Sequence, residues 1–486
     1  MKNVHSSKLA GRGRLLRPML AVTMALAACD FLDPTQVENP RTTVDDLAEA
    51  ENPTASLVAG ARAQFARMVG SQSVVAEVVS DNFSVQGTGL SKTWDSPRDV
   101  SPSLMNGTGS TTGLYWNAQE LKALATFILD EIVPIDATAT AEEIAEAHYY
   151  RGMAYLVLGE NFSAVPVEPD GAPVAADALL DLAVTELGEA GAFGIAATAA
   201  LARAHRLRGD AAAATTAAGA ALAALPTFVV VQEYDATSVV NPPWNFLVSR
   251  ALQEMQPLPR LDFLDPKYLV RTQGISVAKA EEMHLILAEA ALAAGDAGTA
   301  QTELRNAILL AQSRDTDTFD DEDPRTNGDL SLRPRDAVIE VRADATSPYR
   351  AGLVLDRPGM VTQHEISGTS LDGDSVAALP SADELWHALH LARQEILFLE
   401  GRRMSDLGIR LPIMLDELDA NQTIADGDPG TDAVVPAYIP AGDEMDLYTP
   451  DRPYDPDDGT LLETQITMLV DMNRVLTDNL VSPFLN

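Results

Sequence analysis

Cysteine is nearly absent from this chain, which has a single one, Cys29, among its 486 residues. No disulfide can therefore form within the chain. Lysine and arginine are also scarce, with 34 of them against 71 aspartates and glutamates, so the formal net charge is −37. Nucleic acid is not an expected partner, because a phosphate backbone attracts clusters of lysine and arginine that are missing here.

Long apolar runs are missing as well. The apolar segment from Met19 to Ala28 is too short to cross a bilayer as a mature helix. The basic residues that precede it, with no acid among them, are Lys2, Lys8, Arg12, Arg14 and Arg17. The segment ends in Leu-Ala-Ala-Cys at 26–29. The whole arrangement resembles the signal peptide and lipobox of bacterial lipoproteins.

That resemblance implies cleavage before Cys29 and lipidation of its sulfur and new amino group. Residues 1–28 are then the lipoprotein signal peptide, and residues 29–43 are a lipidated tether. Two or three acyl chains would hold the mature protein on a membrane stably. Asp30 leaves the sorting open between inner and outer membrane, since an aspartate at this place retains some Gram-negative lipoproteins in the inner membrane.

The stretch 276–313 shows a clear helical period. Apolar residues recur at three- and four-residue steps on both sides of Gly295-Asp296. Glycine can adopt the left-handed conformation that ends a helix, and aspartate can accept the free N–H groups that begin the next one. The pattern predicts a helical hairpin with small residues where the two helices approach closely.

A second segment repeats this pattern. Residues 201–210 end in Gly209-Asp210 and are followed by an alanine-rich helix from Ala211 to Leu225. Two such hairpins favour a tetratricopeptide-like array, in which each hairpin buries one face against the next. An ordinary helical bundle with Gly-Asp turns is the alternative.

Three long tracts interrupt the helical pattern, and long loops in compact domains usually carry function. They lie near 84–113, 226–267 and 315–373. The remaining period predicts one long helix over 382–407 and a C-terminal helix near 461–480. The predicted fold is therefore mainly α, with helical hairpins and long loop-rich insertions.

Four segments together resemble the SusD/RagB family of nutrient-uptake lipoproteins. They are Tyr115-Trp116 at the start of a helix, residues 145–155 with a central Arg151, residues 283–290, and the late signature Arg393, Glu400-Gly401, Arg403 and Asp406-Leu407. The chain departs from the family at Ile396, where an acid is usual; here Glu395 stands one position earlier.

The resemblance implies one SusD-like domain over 44–486, in which the insertions form a ligand face on tetratricopeptide-like units. The protein would be anchored by lipid in the outer membrane and exposed on the cell surface. There it would bind oligosaccharides, or else peptides, and deliver them to a SusC-like TonB-dependent barrel. The competing interpretation is a tetratricopeptide scaffold lipoprotein in outer-membrane assembly or secretion.

No catalytic residue, cofactor or metal site is predicted. The late-signature charges are spaced for structural pairing with one another or with a neighbouring helix. His387 and His390 are one helical turn apart, but no cysteine or nearby histidine completes a metal set. The acidic loops lack the spacing of a calcium-binding loop, which predicts solvated turns. No motif for nucleophilic, phosphate or dinucleotide chemistry stands in a suitable context.

Aromatic residues in loops are the remaining functional signal. A flat ring can cover the apolar C–H face of a sugar, which predicts stacking platforms in the insertions. The candidate ligand-binding residues are Trp94, Trp244, Tyr234 and Tyr349. Trp116 and Trp386 lie on helices and are expected in the core. Aromatics make up only 5% of the chain, so peptides stay open as the cargo.

Overall fold

The structure is a computed structural model that describes residues 51–85, 90–107, 113–235, 237–244, 256–320, 330–357 and 359–485. The predicted signal peptide, Cys29 and the tether lie outside the described residues. No helix within these ranges is long and apolar enough to span a membrane.

Helices dominate the described part of the chain. They are α1 (Pro53–Val78), α2 (Leu90–Trp94), α3 (Leu114–Phe127), α4 (Ala141–Asn161), α5 (Ala176–Glu189), α6 (Ile195–Leu207), α7 (Ala211–Ala224), α8 (Ala280–Ala293), α9 (Ala297–Gln312), α10 (Gly373–Ala377), α11 (Ala382–Ile396), α12 (Arg403–Asp406), α13 (Leu415–Ala420) and α14 (Met472–Asp478). A π-helical turn, Ile128–Ile132, continues α3, and a 3₁₀ segment, Pro259–Lys267, lies in the second insertion.

The strands are short and lie mostly in the insertions and the C-terminal region. They are β1 (Phe83–Ser84), β2 (Ala164–Pro166), β3 (Pro173–Ala175), β4 (Val229–Gln232), β5 (Gln256–Pro257), β6 (Ile275–Lys279), β7 (Asp317–Asp320), β8 (Glu340–Arg342), β9 (Met360–Gln363), β10 (Tyr448–Thr449) and β11 (Gln465–Met468). Four antiparallel pairs form, β1–β5, β2–β3, β4–β6 and β7–β9. The three-stranded sheet has the order β10-β11-β8, with β11 parallel to β8.

Each helix from α3 to α9 packs against the next one along the chain. The pairs α1 with α3, α4 with α5, α6 with α7, and α8 with α9 form a series of helical hairpins. The predicted mainly α fold with tetratricopeptide-like hairpins is therefore confirmed.

The two predicted Gly-Asp turns are present. Gly209 and Gly295 have φ angles of 74° and 77°, so both occupy the left-handed region that glycine adopts without steric cost. Asp210 and Asp296 each accept a backbone N–H from the first turn of the following helix at 3.0 Å. Helix end and helix start are thus fixed by two adjacent residues in both hairpins.

Small side chains allow α7 to approach its neighbours closely. The buried face of α7 and the α8 residues in the same apolar cluster consist of Ala214, Ala217, Ala218, Ala221, Ala280, Met283 and Ile286. A second cluster joins α8, α9 and α11, and the largest cluster joins α1, α3, α4 and α5 to the insertions and the C-terminal region.

The prediction of one long helix over 382–407 is wrong. Helix α11 ends at Ile396, and the chain reverses through Leu399 (φ 57°) and Gly401 (φ 75°) before the short helix α12. The apolar residues after Ile396 keep helical spacing in the sequence, but they are buried in a turn and not on one face of a helix.

The predicted C-terminal helix is also shorter than expected. Its first part forms strand β11, where alternate residues Ile466 and Met468 are fully buried. Helix α14 begins only after Asp471, whose carboxylate accepts the backbone N–H of Asn473 at 2.9 Å.

The charges of the late signature are fixed in buried ion pairs. Arg393 pairs with Asp406 (2.8 Å), Arg403 with Asp81 (2.5 Å), and Glu400 with both Lys267 (2.7 Å) and Lys279 (2.6 Å). Each of these side chains is at most 4% exposed. The pairing ties the end of α11 and α12 to α1 and to the second insertion, which is the structural role expected for these charges.

Candidate functional site

The structure buries two of the four predicted ligand-binding rings. Trp94 and Tyr234 are each 8% exposed, and the Tyr234 hydroxyl donates a hydrogen bond to the Ala66 carbonyl oxygen at 2.8 Å. Neither ring offers a free face for stacking in this structure. Their loop positions suggested accessibility, but the loops fold their apolar side chains into the main core.

The other two predicted rings keep part of their surface, and each lies against an arginine. The guanidinium carbon of Arg271 is 5.3 Å from the ring centre of Trp244, and that of Arg342 is 4.6 Å from the ring centre of Tyr349. The Tyr349 hydroxyl also lies 3.2 Å from the Thr467 hydroxyl. A ligand that stacks on these rings would share them with a cation.

The two helical tryptophans differ from each other. Trp386 is 6% exposed and stacks on His390 with ring centres 5.9 Å apart, so its expected core position is confirmed. Trp116 is 44% exposed, so the expectation that it lies in the core is wrong. Because the preceding residue on α3, Tyr115, is buried, the Trp116 side chain points away from the packed face of this helix.

A cleft lies where two of the insertions meet α11 and the C-terminal region; we call it the insertion cleft. It consists of adjoining pockets of about 160 and 460 Å³, which share Arg350, His387 and Leu391. The second insertion contributes Arg260 and the third contributes residues from 341 to 353.

Charges of both signs line the insertion cleft. His387 Nε2 lies 2.8 Å from Asp471 Oδ2, and Arg350 donates to the Ser370 carbonyl oxygen at 2.7 Å. Glu395 accepts the Ser370 backbone N–H at 2.7 Å. Burial raises the pKa of Glu395, and the hydrogen bonds from Ser370 only partly oppose this. Donors and acceptors therefore alternate around an apolar floor that includes Leu391.

Sequence reasoning singled out His387 and Glu395 in other contexts, but it assigned none of these cleft residues to a ligand site. Arg350 comes from the third insertion, His387 and Glu395 from α11, and Asp471 from the residue before α14. They are distant along the chain and form no motif. The nearest signal was Tyr349, the neighbour of Arg350.

The two histidines of α11 do not share a metal site. His390 is buried against Trp386, and burial lowers its pKa to about 3. His387 pairs instead with Asp471. Within the described residues, no group of three or more histidines, cysteines, aspartates or glutamates is placed to hold a metal ion.

A buried acid pair beside a lysine joins the first insertion to the C-terminal region. Asp95 and Asp446 are both fully buried. The Lys92 ammonium donates to Asp95 Oδ2 at 3.0 Å and to the Val85 carbonyl oxygen at 2.9 Å, and it also pairs with Asp443. Burial raises the pKa of Asp446 well above its usual range, and the charge of Asp95 adds to this effect.

The fold of this chain resembles that of solved structures. A SusD superfamily protein from Bacteroides fragilis matches with a TM-score of 0.51 and 14% identity, over 78% of this chain and 100% of that protein. This chain has the SusD fold. The insertion cleft thus lies within a SusD fold, and the fold that the four sequence segments implied is confirmed.

Two further SusD-fold structures match less closely. A SusD-like carbohydrate-binding protein from Bacteroides fragilis has a TM-score of 0.47 and 13% identity, over 74% of this chain and 86% of that one. A SusD superfamily protein from Bacteroides vulgatus has a TM-score of 0.47 and 12% identity, over 75% of this chain and 88% of that one. No protein-family model matches the sequence, and no curated protein matches it.

Proposed function

We propose that this protein is a SusD/RagB-type lipoprotein of the cell surface that binds oligomeric nutrients. It delivers them to a SusC-like TonB-dependent transporter of the outer membrane. The observation that carries the proposal is the SusD fold, since the match extends over the full length of the Bacteroides fragilis protein. Oligosaccharides are the proposed cargo, with peptides as the second candidate.

The insertions supply the proposed ligand contacts. The insertion cleft presents Arg350, His387 and Glu395, which can donate to and accept from a polar oligomer. Trp244 and Tyr349 are the partly exposed rings of the same insertions. Binding in the micromolar to millimolar range, about −8 to −4 kcal/mol, suits a protein that must release its cargo.

Binding is proposed to occur without turnover. Glycoside hydrolysis needs two carboxyl groups matched across the scissile bond. The carboxylates of the insertion cleft are engaged by protein groups instead, as Glu395 is by Ser370 and Asp471 is by His387. Product analysis after incubation with oligosaccharides tests this point, since accumulating fragments would contradict it.

Co-purification of the partner tests the proposed function directly. Affinity purification of the tagged full-length protein from detergent-solubilised outer membranes should recover a TonB-dependent barrel. The tetratricopeptide-like array also suits a scaffold that grips another protein, which is the second candidate function. Recovery of assembly or secretion components without a TonB-dependent barrel would favour the scaffold and contradict the delivery role.

A further inference from the structure

A large groove lies among the helices, outside the three insertions; we call it the helical groove. It has a volume of about 730 Å³ and is lined by α3, α4, α5, α13, the π-helical turn and the loop after β2. Small-molecule sites usually have about 300–1,000 Å³. The helical groove is therefore large enough for a ligand of several rings.

One wall of the helical groove consists of charged side chains that form ion pairs with one another. Arg151 Nη1 lies 3.0 Å from Asp130 Oδ1, and Arg151 Nε lies 2.8 Å from Glu186 Oε2. His148 adds a contact to the same Glu186 carboxylate at 2.8 Å. These charges compensate one another along the wall of the groove.

The floor offers unused donors. Lys122 is 9% exposed, and its ammonium donates to the Val167 carbonyl oxygen. No carboxylate of the described residues forms an ion pair with it, although the charges of Glu168 and Glu417 act on it from the rim. An ammonium has three N–H donors, so a guest with acceptor oxygens can take those that remain.

The rim offers acceptors. Glu168 is exposed, and its carboxylate accepts no hydrogen bond from the described residues; the Glu417 carboxylate accepts only a long one from the Asn421 side-chain amide at 3.4 Å. The Tyr155 hydroxyl, at the groove, has no hydrogen-bond partner among the described residues either. A guest thus meets a donor on the floor and acceptors at the edge.

Rings accompany these polar groups. Phe127 and Tyr155 line the groove, and Trp116 is exposed on α3. Steps of seven and eleven residues place Ala123 and Phe127 on the same face of α3 as Trp116. At 1.5 Å per residue, Trp116 lies about 16 Å along the helix from Phe127. The surface therefore fits an extended guest better than a single small molecule.

The chemistry of these groups selects the class of ligand. Four carboxylates around the groove oppose an anionic guest. A purely cationic guest would bring no acceptor to Lys122. A neutral sugar brings hydroxyls that both donate and accept, and C–H faces that pack on aromatic rings. We infer that the helical groove binds a neutral oligosaccharide, with Trp116 as an outer stacking surface. This inference rests on the proposed function and adds a second site to it.

Calorimetric titration of the purified protein with maltohexaose, cellohexaose, xylohexaose and mannohexaose, each up to millimolar concentration, tests the inference. Hexalysine serves as the cationic comparison. The variants are Glu168→Gln, Tyr155→Phe and Trp116→Ala, with Glu120→Gln as an exposed carboxylate control on α3 outside the groove. Trp244→Ala reports on the insertion rings.

We expect at least one hexasaccharide to bind the wild type. Glu168→Gln should weaken that binding about tenfold, because a hydrogen bond to a charged group is lost. Trp116→Ala should weaken it about 3- to 10-fold. Tyr155→Phe should weaken it about threefold while keeping the ring, and Glu120→Gln should leave it unchanged.

The other outcomes separate this inference from the proposed function. If the wild type binds a hexasaccharide and only Trp244→Ala weakens it, the helical groove is not a saccharide site and the proposed function stands. If hexalysine binds through Glu168 and no hexasaccharide does, the ligand class inferred here is overturned. If the wild type binds none of the four hexasaccharides, this inference is overturned, while the proposed delivery function is decided separately by recovery of a TonB-dependent barrel.

Discussion

At the scale of single residues, the carboxyl group of Asp446 is fully buried, and neither of its oxygens accepts a hydrogen bond from a described N–H or hydroxyl donor. Burial raises its pKa well above the usual range, and burial also raises the pKa of Asp95 to about 6. The native state therefore holds protons that the unfolded chain releases near its ordinary aspartate pKa. This pair stabilises the fold less as the pH rises from about 4 through the raised pKa values.

Replacement of Asp446 by asparagine should remove this penalty. The amide keeps the shape of the side chain and can donate to Asp95, so Asp446→Asn should be more stable than the wild type above pH 7. The advantage should shrink as the pH falls to about 4 and should vanish below it, where the wild-type carboxyl is protonated in both states. Urea unfolding at several pH values measures it. Asp451→Asn at an exposed position provides the control, and an equal pH profile for both variants would contradict the argument.

Glu400 presents the opposite case, a buried charge that must stay. Its carboxylate meets the ammonium groups of Lys267 and Lys279, and all three side chains are at most 3% exposed. Glu400→Gln leaves two buried cations without their counter-charge and should cost about 3–5 kcal/mol of unfolding free energy.

The exposed pair of Arg474 and Asp383 is a matched comparison, with side chains 31% and 62% exposed. Arg474→Ala should cost only about 0–1 kcal/mol, because solvent screens a surface ion pair. Chemical denaturation of both variants decides the point. Equal losses would mean that the buried pairs do not stabilise the fold as the structure indicates.

The identity of a residue predicted whether its charge would be paired better than it predicted whether its side chain would be exposed. The charges of the late signature could be expected to pair, because isolated buried charges are costly. Ring exposure could not be read in the same way. Trp94 in a polar loop is buried and Trp116 on a helix is exposed, since both outcomes depend on which distant segments cover them.

At the scale of elements, the two Gly-Asp turns differ in what surrounds them. A Cβ at Gly295 would meet no atom within 4 Å, whereas a Cβ at Gly209 would lie 2.6 Å from the Pro483 carbonyl oxygen. Both backbones are left-handed, so Gly295→Ala should cost about 1–2 kcal/mol from conformation alone. Gly209→Ala should cost more, because the C-terminal segment must move as well.

Thermal unfolding of the two alanine variants tests this difference, with the wild type as reference. Removing residues 482–486 deletes the contact with the Pro483 carbonyl oxygen. In the shortened chain, the stability lost through Gly209→Ala should approach the stability lost through Gly295→Ala, each measured against its own parent. Equal losses in the full-length chain would show that the contact at Gly209 does not matter.

Element type was predictable where local chemistry decides it. The hairpin predicted at 276–313 followed from apolar period and from the Gly-Asp cap, and it is observed from Ala280 to Gln312; its first four residues belong to strand β6 instead. The end of α11 was not predictable, because apolar residues continue past Ile396 while Leu399 adopts a positive φ. The buried ion pairs of Glu400 and its neighbours hold that reversal, and their partners come from distant segments.

At the scale of the whole molecule, the SusD fold could be predicted because its four sequence segments are spread over the chain. The insertion cleft could not, since Arg350, His387 and Asp471 meet only after the insertions fold against α11. The helical groove could not be predicted from the sequence either. Lys122, Tyr155 and Glu417 come from three helices; Lys122 and Glu417 stand in no motif, and Tyr155 lies in the 145–155 segment, which indicated the fold and not a groove.

The last prediction concerns the lipid anchor that is proposed for the whole molecule. Leu-Ala-Ala-Cys at 26–29, after a basic head and a short apolar core, predicts that mature protein begins with lipidated Cys29. Mass spectrometry of the native protein should find diacylglycerol on the Cys29 sulfur and no leader.

Each buried CH₂ contributes about 0.8 kcal/mol, so two or more acyl chains should keep the protein in the detergent phase after Triton X-114 partition. Cys29→Ser cannot accept the thioether lipid and should leave that phase or retain its leader. An unmodified Cys29 in protein extracted from membranes would contradict the prediction, and with it the anchored delivery role. Fractionation of inner and outer membranes then resolves the sorting that Asp30 leaves open.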